Sequence, residues 1–249
     1  MSIEDAYRDD LAYIHDAGYG GVALDAAQRL RDELHRCGFL EGTVIDLGCG
    51  SGILAHRVCE AGYSVVGIDV SDAMVALAKT RAPAAEFHVG SFVSATLPTC
   101  VAAAAIGEVL NYGFDTENGE SVRGELFRRV HRALVPGGLW LFDMAGPGRV
   151  PPGGPHRAFA EGPDWAVLIE ITFEPTTGVL TRHIASLRQV GDLCRRDVEV
   201  HRLTLVDRAD VLASLRTAGF EAQTISSYGG SGLPPGVLAF LARRPVDAI

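Results

Sequence analysis

The chain has 249 residues, 47% of them hydrophobic and 21% charged, with 29 glycines. That composition supports a sizeable core and excludes a disordered tail or a disulfide-held miniature. Thirty-one acidic residues against 22 basic ones leave a net charge of -9, the wrong sign for wrapping a polyphosphate, so no nucleic-acid partner is expected.

No membrane partner is expected either. Glu108 interrupts the most apolar run, Val101 to Leu110, well short of the roughly 20 residues that span a bilayer. Glu4, Asp5, Asp9 and Asp10 are unlike an export signal, so a cytoplasmic location is expected. Cys37, Cys49, Cys59, Cys100 and Cys194 are odd in number and contain no CxxC pair, which indicates neither a disulfide framework nor a zinc knuckle. No HExxH or comparable spacing points to a catalytic metal. Lys79 is the only lysine, which makes Schiff-base chemistry an unattractive reading.

In chain order, Leu11 to Cys37 has helical periodicity broken by Gly18, Gly20 and Gly21, which predicts two helices hinged around Tyr19 and lying over the rest as a lid (residues 1–40). Short apolar runs then alternate with amphipathic ones. Strands are expected at Thr43 to Leu47, Ser64 to Asp69, Glu86 to Val89, Val101 to Ile106 and Leu139 to Asp143. Helices are expected at Gly52 to Ala61, Asp72 to Thr80 (with Ser71 as N-cap) and Ser121 to Leu134, the last stopped by Pro136, Gly137 and Gly138. This is the rhythm of an α/β, doubly wound, mostly parallel sheet.

After Asp143 the composition shifts to a Gly/Pro loop and three alternating runs, Trp165 to Phe173, Val179 to Val190 and Asp197 to Val206. Alternation argues an antiparallel β-rich insertion (151–207) with one face wet or turned to a ligand. A helix at Ala209 to Ala218 and strands near Phe220 to Ser227 and Val237 to Arg243 return to the main sheet. Residues 41–150 and 208–249 then form the core of a single domain.

Chemistry concentrates at Val44-Ile45-Asp46-Leu47-Gly48-Cys49-Gly50-Ser51-Gly52, an apolar strand running into a glycine turn that opens a helix. Ligands bind there in open parallel sheets, because the backbone can turn sharply and be approached closely. A dinucleotide fingerprint needs its third glycine at position 53, which is Ile53. Asp69 ends the next strand about twenty residues on, where a carboxylate can accept from both hydroxyls of a ribose.

These features resemble the class I S-adenosylmethionine-dependent methyltransferases, whose first motif is an acid followed by G-x-G-x-G and whose second is an acid ending the next strand. The resemblance continues through Gly90-Ser91-Phe92, Ile106-Gly107-Glu108, Leu134-Val135-Pro136-Gly137-Gly138 and Phe240-Leu241-Ala242-Arg243-Arg244. It implies a seven-stranded sheet with a reversed last strand, and S-adenosyl-L-methionine as cofactor with S-adenosyl-L-homocysteine as product. The methionine moiety would lie over Asp46, Gly48, Cys49 and Gly50 near Gly107, the ribose on Asp69, and the adenine between Val70, Met74 and the Gly90-Ser91-Phe92 corner. Tyr13 and Tyr19 would close over the methionine carboxylate. Many relatives carry an acid where this chain has Ser91, and a neutral hydroxyl makes a weaker bond to the adenine amino group.

The acceptor side is read from topology. Glu108, Asn111 and Tyr112 follow the fourth strand at the lip where the methyl should point. His201, with Glu199 beside it on the third insertion run, could cap the pocket and act as base. The expected function is methyl transfer to an N, O or C atom of a small-molecule acceptor, of natural-product or sugar type, by a monomer or homodimer. A nicotinamide oxidoreductase on a similar sheet and a non-catalytic S-adenosylmethionine-binding protein are the alternatives.

Overall fold

Strands as short and apolar as those between residues 43 and 145 can bury both faces only inside a sheet covered by helices on either side. The computed structural model has that architecture and describes residues 6–113, 115, 120–150, 153, 156–230 and 232–246. The elements run α1 (Asp9–Gly18), α2 (Gly21–Arg36), β1 (Thr43–Leu47), α3 (Ile53–Glu60), β2 (Ser64–Asp69), α4 (Asp72–Arg81), β3 (Glu86–Val89), β4 (Cys100–Ala105), α5 (Glu120–Ala133), β5 (Leu134–Ala145), β6 (His156–Glu161), β7 (Trp165–Glu174), β8 (Val179–Val190), β9 (Leu193–Thr204), α6 (Arg208–Thr217), β10 (Glu221–Ile225) and β11 (Val237–Arg243).

The main sheet has seven strands in the order β10-β11-β5-β4-β1-β2-β3. All neighbours pair in parallel except β11, which is antiparallel to both β5 and β10. This is the reversed last strand that the resemblance implies. Side chains alternate between the faces as a strand dictates. Val44, Ala102, Leu139 and Leu141 pack with Leu30, Leu34, Leu54 and Val75 of α2, α3 and α4. Ile45, Leu47, Trp140 and Phe142 pack with Phe127, Val130, Val211 and Leu215 of α5 and α6. Pro136, Gly137 and Gly138 do not separate α5 from its strand. They bulge within β5, whose pairing with β4 jumps from Cys100–Leu134 to Ala102–Leu139, and Gly137 sits there at φ +80°.

The insertion folds as a separate antiparallel sheet in the order β6-β7-β8-β9. Its first strand, β6, is absent from the sequence expectation. The run HRAFAE is mostly exposed and has no β-branched residue, so it is an edge strand held by pairing with β7 rather than by propensity. One face of this sheet is exposed, and there Phe159, Leu168, Ala185 and Val198 align across all four strands. The other face, with Val167, Ile169, Ile171, Arg182, Ile184 and His201, walls a cavity over the carboxyl ends of the main sheet. Among the described residues, no helix is long and apolar enough to cross a membrane, and all five cysteines are free thiols.

The break at Tyr19 divides the N-terminal region by role. α2 packs on α3 and the sheet, whereas α1 roofs the space between the two sheets. Charges fasten α1 and the residues before it. Arg8 makes a two-bond pair with Asp197, Asp10 meets Arg188 and Arg195, and Asp16 meets Arg81 of α4. The same Arg81 donates to the Ser51 carbonyl, which ties the roof to the glycine turn.

Candidate active site

The turn after β1 is built from left-handed residues. Gly48, Gly50 and Gly52 have φ of +69°, +52° and +75°, a region that L side chains seldom adopt. At Gly52 a Cβ would lie 2.9 Å from the Ala78 backbone of α4, so glycine also sets the distance between turn and helix. At Gly50 a Cβ would meet nothing within 4 Å, because the residue faces open cleft.

Asp69 joins this turn to the next. Its Oδ2 accepts from the Gly50 amide at 2.8 Å and its Oδ1 from the Ser71 amide at 2.9 Å. A carboxylate has about four acceptor sites, so both oxygens can still take a hydroxyl. Burial pushes the Asp69 carboxyl above its ordinary value, and the Ser71, Gly50 and Val70 amides pull it back. Asp46 lacks that support. Its Oδ2 is buried with no hydrogen-bond partner among the described residues, and burial, with the nearby Asp69 charge, pushes it up to about 7. Cys49 stays a thiol, raised well above its ordinary value by burial and by both aspartates.

The cleft so formed is lined by the glycine turn, Asp46 and Asp69. At its far end Val70, Met74 and Phe92 make an apolar slot with Asp115 at its edge. At its near end Tyr7, His15, Tyr19 and Tyr112 form a boundary, because each lines both this cleft and the cavity under the second sheet. Tyr7 lies between two imidazoles, with ring centroids 5.2 Å from His15 and 4.8 Å from His201, and its hydroxyl is 3.1 Å from that of Tyr112. Burial lowers His15 to about 4, so it is neutral at physiological pH.

Beyond the boundary the second cavity is walled by aliphatic side chains and a buried charge cluster. Glu108, at φ +62°, pairs with Arg149 through Oε1 and with Arg182 at 2.7 Å through Oε2. Arg182 also donates to the Tyr112 hydroxyl at 3.1 Å. The unusual backbone at Glu108 is fixed from beneath, where Asp143 accepts from the Gly107 and Glu108 amides and from the Tyr228 hydroxyl. His201 Nε2 is 2.8 Å from Glu199, whose oxygens also accept from the Tyr7 and Arg8 amides.

Residues 44–138 match the family model described as a methyltransferase domain. A ubiquinone biosynthesis O-methyltransferase of Rhizobium etli is 38% identical over 103 residues, 40% of either chain. A magnesium-protoporphyrin O-methyltransferase of Rhodobacter capsulatus is 30% identical over 112 residues, 43% of this chain and 47% of that one. The chain spans about two fifths of the length of the curated relatives it matches.

Solved structures extend the likeness of fold to nearly the whole molecule. An S-adenosylmethionine-dependent methyltransferase from Clostridium acetobutylicum superposes with a TM-score of 0.80 at 15% identity, covering 94% of this chain and 97% of that one. An amino pentose methyltransferase from Micromonospora echinaspora, with S-adenosylmethionine bound, gives 0.74 at 21% identity over 93% and 96%. Residues 44–138 carry a methyltransferase domain, and the fold around them is the one seen in S-adenosylmethionine-dependent methyltransferases.

The residues of this methyltransferase domain fit that cofactor. Asp46 presents a buried, unsatisfied carboxylate oxygen to a ligand that carries cationic groups, and Asp69 stands beside it with acceptor capacity for a ribose. Of the residues expected at the cofactor, Tyr19, Asp46, Gly48, Cys49, Gly50, Asp69, Val70, Met74, Phe92 and Gly107 line the cleft. Gly90 and Ser91 stand behind it. Ser91 holds Asp115 rather than forming the wall.

Tyr13 is elsewhere. Its hydroxyl donates to Asp164 at 2.8 Å and its ring lies under Arg188, on the side of α1 turned away from the cleft. The sequence carries the signal that separates it from the lining residues. Leu11, His15 and Tyr19 recur every four positions and make one stripe, from which position 13 is displaced by about half a turn, and Tyr7 joins them from just before the helix. Tyr7 and His15 are therefore lining residues that no sequence motif marks, as are Arg149 and Arg182.

Of the residues expected at the acceptor, Glu108, Tyr112 and His201 line the second cavity. Asn111 does not. Its amide donates to the Ala145 and Thr204 carbonyls, and its Oδ1 accepts from the Ala145 amide, so it staples β5 to β9 and leaves no group for chemistry. His183 is exposed on the opposite face of the second sheet.

Proposed function

We propose that this chain transfers a methyl group from S-adenosylmethionine to an N or O atom of a small, largely apolar acceptor with polar substituents, in the cytoplasm. The observation that carries the reading is the junction of two cavities across one aromatic boundary, with the cofactor residues on one side and an aliphatic, charge-lined cavity on the other. The insertion 151–207, with its inner face on the second cavity, is the acceptor-binding part. Ubiquinone-pathway O-methyltransferases and a sugar N-methyltransferase among the similar proteins support a compact acceptor bearing hydroxyl or amino groups. Five free thiols support a reducing compartment.

When bound, the cofactor supplies an electrophilic methyl on a sulfonium. The chain's own residues do the rest. α1 and the second sheet exclude water, and the Tyr7–Tyr112 hydroxyl pair aligns the acceptor heteroatom, a positioning gain of up to about 7–11 kcal/mol. Where the acceptor must lose a proton, two imidazoles flank the boundary. His201, oriented by Glu199, is the base, and neutral His15 offers a second nitrogen. The family match sets aside the nicotinamide alternative.

The test is incubation with methyl-labelled S-adenosylmethionine and a panel of phenols, quinols and amino sugars. Label in product together with release of S-adenosylhomocysteine is expected. Absence of S-adenosylhomocysteine binding by calorimetry would overturn the reading, and binding without transfer to any acceptor would leave a cofactor-binding protein.

A further inference from the structure

The slot formed by Val70, Met74 and Phe92 is apolar on its faces and carries a carboxylate at its edge. That carboxylate is Asp115, which is 2% exposed. A buried carboxylate lining a ligand cleft is costly unless several donors satisfy it, and the position is built to hold it. Ser91 Oγ is 2.7 Å from Asp115 Oδ2 and at the same time accepts from the Val93 amide at 3.0 Å. With its lone pair engaged by Val93, the hydroxyl directs its proton to Asp115. Asp115 comes from the segment after β4, and Ser91 from the corner after β3, so two loops converge on one oxygen pair.

Apolar side chains with an acceptor beside them suit a planar heterocycle that presents an N–H donor along its edge. Adenine presents such a donor in its exocyclic amino group. Hypoxanthine, which carries an oxygen in that place, would set acceptor against acceptor. We propose that Asp115 reads the adenine of the cofactor by accepting from its exocyclic amino group, with Ser91 as the residue that positions the carboxylate. The inference rests on the cleft holding S-adenosylmethionine. It locates base recognition in the β4 loop, at a residue that no sequence motif marks.

Calorimetry with S-adenosyl-L-homocysteine and its deaminated counterpart S-inosyl-L-homocysteine tests this without any methyl acceptor. Wild type should favour the adenosyl compound by about tenfold or more. Asp115→Asn retains an acceptor and adds an N–H2 that can donate to the inosyl oxygen, so the preference should shrink to within about twofold or reverse. Asp115→Ala should bind the adenosyl compound more weakly and the inosyl compound no more weakly than wild type does, so that the two bind nearly equally. Ser91→Ala should lower the preference by a smaller factor. An unchanged preference in folded Asp115→Asn and Asp115→Ala proteins, judged by circular dichroism and thermal melting, would overturn the assignment. Failure of wild type to bind S-adenosyl-L-homocysteine would instead overturn the cofactor reading beneath it.

Discussion

The two ends of the active site are made of different material. At the cofactor end the main chain does most of the work, since three left-handed glycines, the Gly50 and Ser71 amides and one bridging carboxylate shape the cleft. At the end proposed for the acceptor the backbone is regular antiparallel sheet, and recognition there would lie in the side chains that β7, β8 and β9 present to the cavity. A site made from backbone constrains which residues can stand there. A site made from side chains on a generic sheet constrains little, so the acceptor can change while the fold stays.

Breaking the bridge should have the largest effect. Asp69→Ala removes the anchor of two buried amides as well as the ribose acceptor, so affinity for S-adenosylhomocysteine should fall by about 1.5–3 kcal/mol, with a lower melting temperature in the absence of ligand. Calorimetry and thermal unfolding measure the two separately. Retained affinity would mean that the glycine turn alone defines the cleft.

Next is the other end. His201→Ala should lower turnover by about 10²-fold, once an acceptor is known, and leave the affinity for S-adenosylhomocysteine within about twofold. A matching loss of cofactor affinity would show that the two regions are not separable.

The buried Asp46 sharpens the comparison through pH. Its folded value of about 7 lies above the unfolded carboxylate value, so between pH 4 and 7 the folded state holds a proton that the unfolded state has released. Its contribution to stability is present below about pH 4 and is lost as the pH rises towards 7. Asp46→Asn should cancel this slope, and its melting temperature should gain on that of wild type with rising pH, levelling off above about 7. The same variant should bind S-adenosylhomocysteine more weakly, which calorimetry would show.

The smallest effect belongs to the outer face of the second sheet. Leu168→Ser lies opposite the cavity and should leave cofactor affinity unchanged and stability within about 0.5 kcal/mol.

The same contrast explains what could be read in advance. β1, β2 and β3 appear at the expected residues, and Ser71 caps α4 by accepting from Met74, because strand, turn and cap chemistry are local. In the insertion the alternation was legible, but each face mixes polar and apolar residues, and Val167, Ile169 and Ile184 share the inner one with charged groups. Arg182, Glu199 and His201 point inward, where the cavity is, while Phe159, Leu168 and Val198 face out. Polarity therefore does not say which face is inside. Asp115 was hidden for another reason, since its meaning depends on Ser91, 24 positions away and on a different loop.

The place of β11 has a consequence for synthesis. This strand is inserted between β5 and β10 and pairs with β5 along seven residues, Leu139 to Ala145. Until it emerges, β5 presents a long, mostly apolar edge with unpaired amides and carbonyls, although the cofactor half of the sheet, β1 to β5, is already complete. Such an edge is a template for pairing with other chains. The nascent molecule can thus hold the architecture that binds the nucleoside while being at its most prone to aggregate. Its solubility then depends on the arrival of β11 rather than on the motif that defines its chemistry.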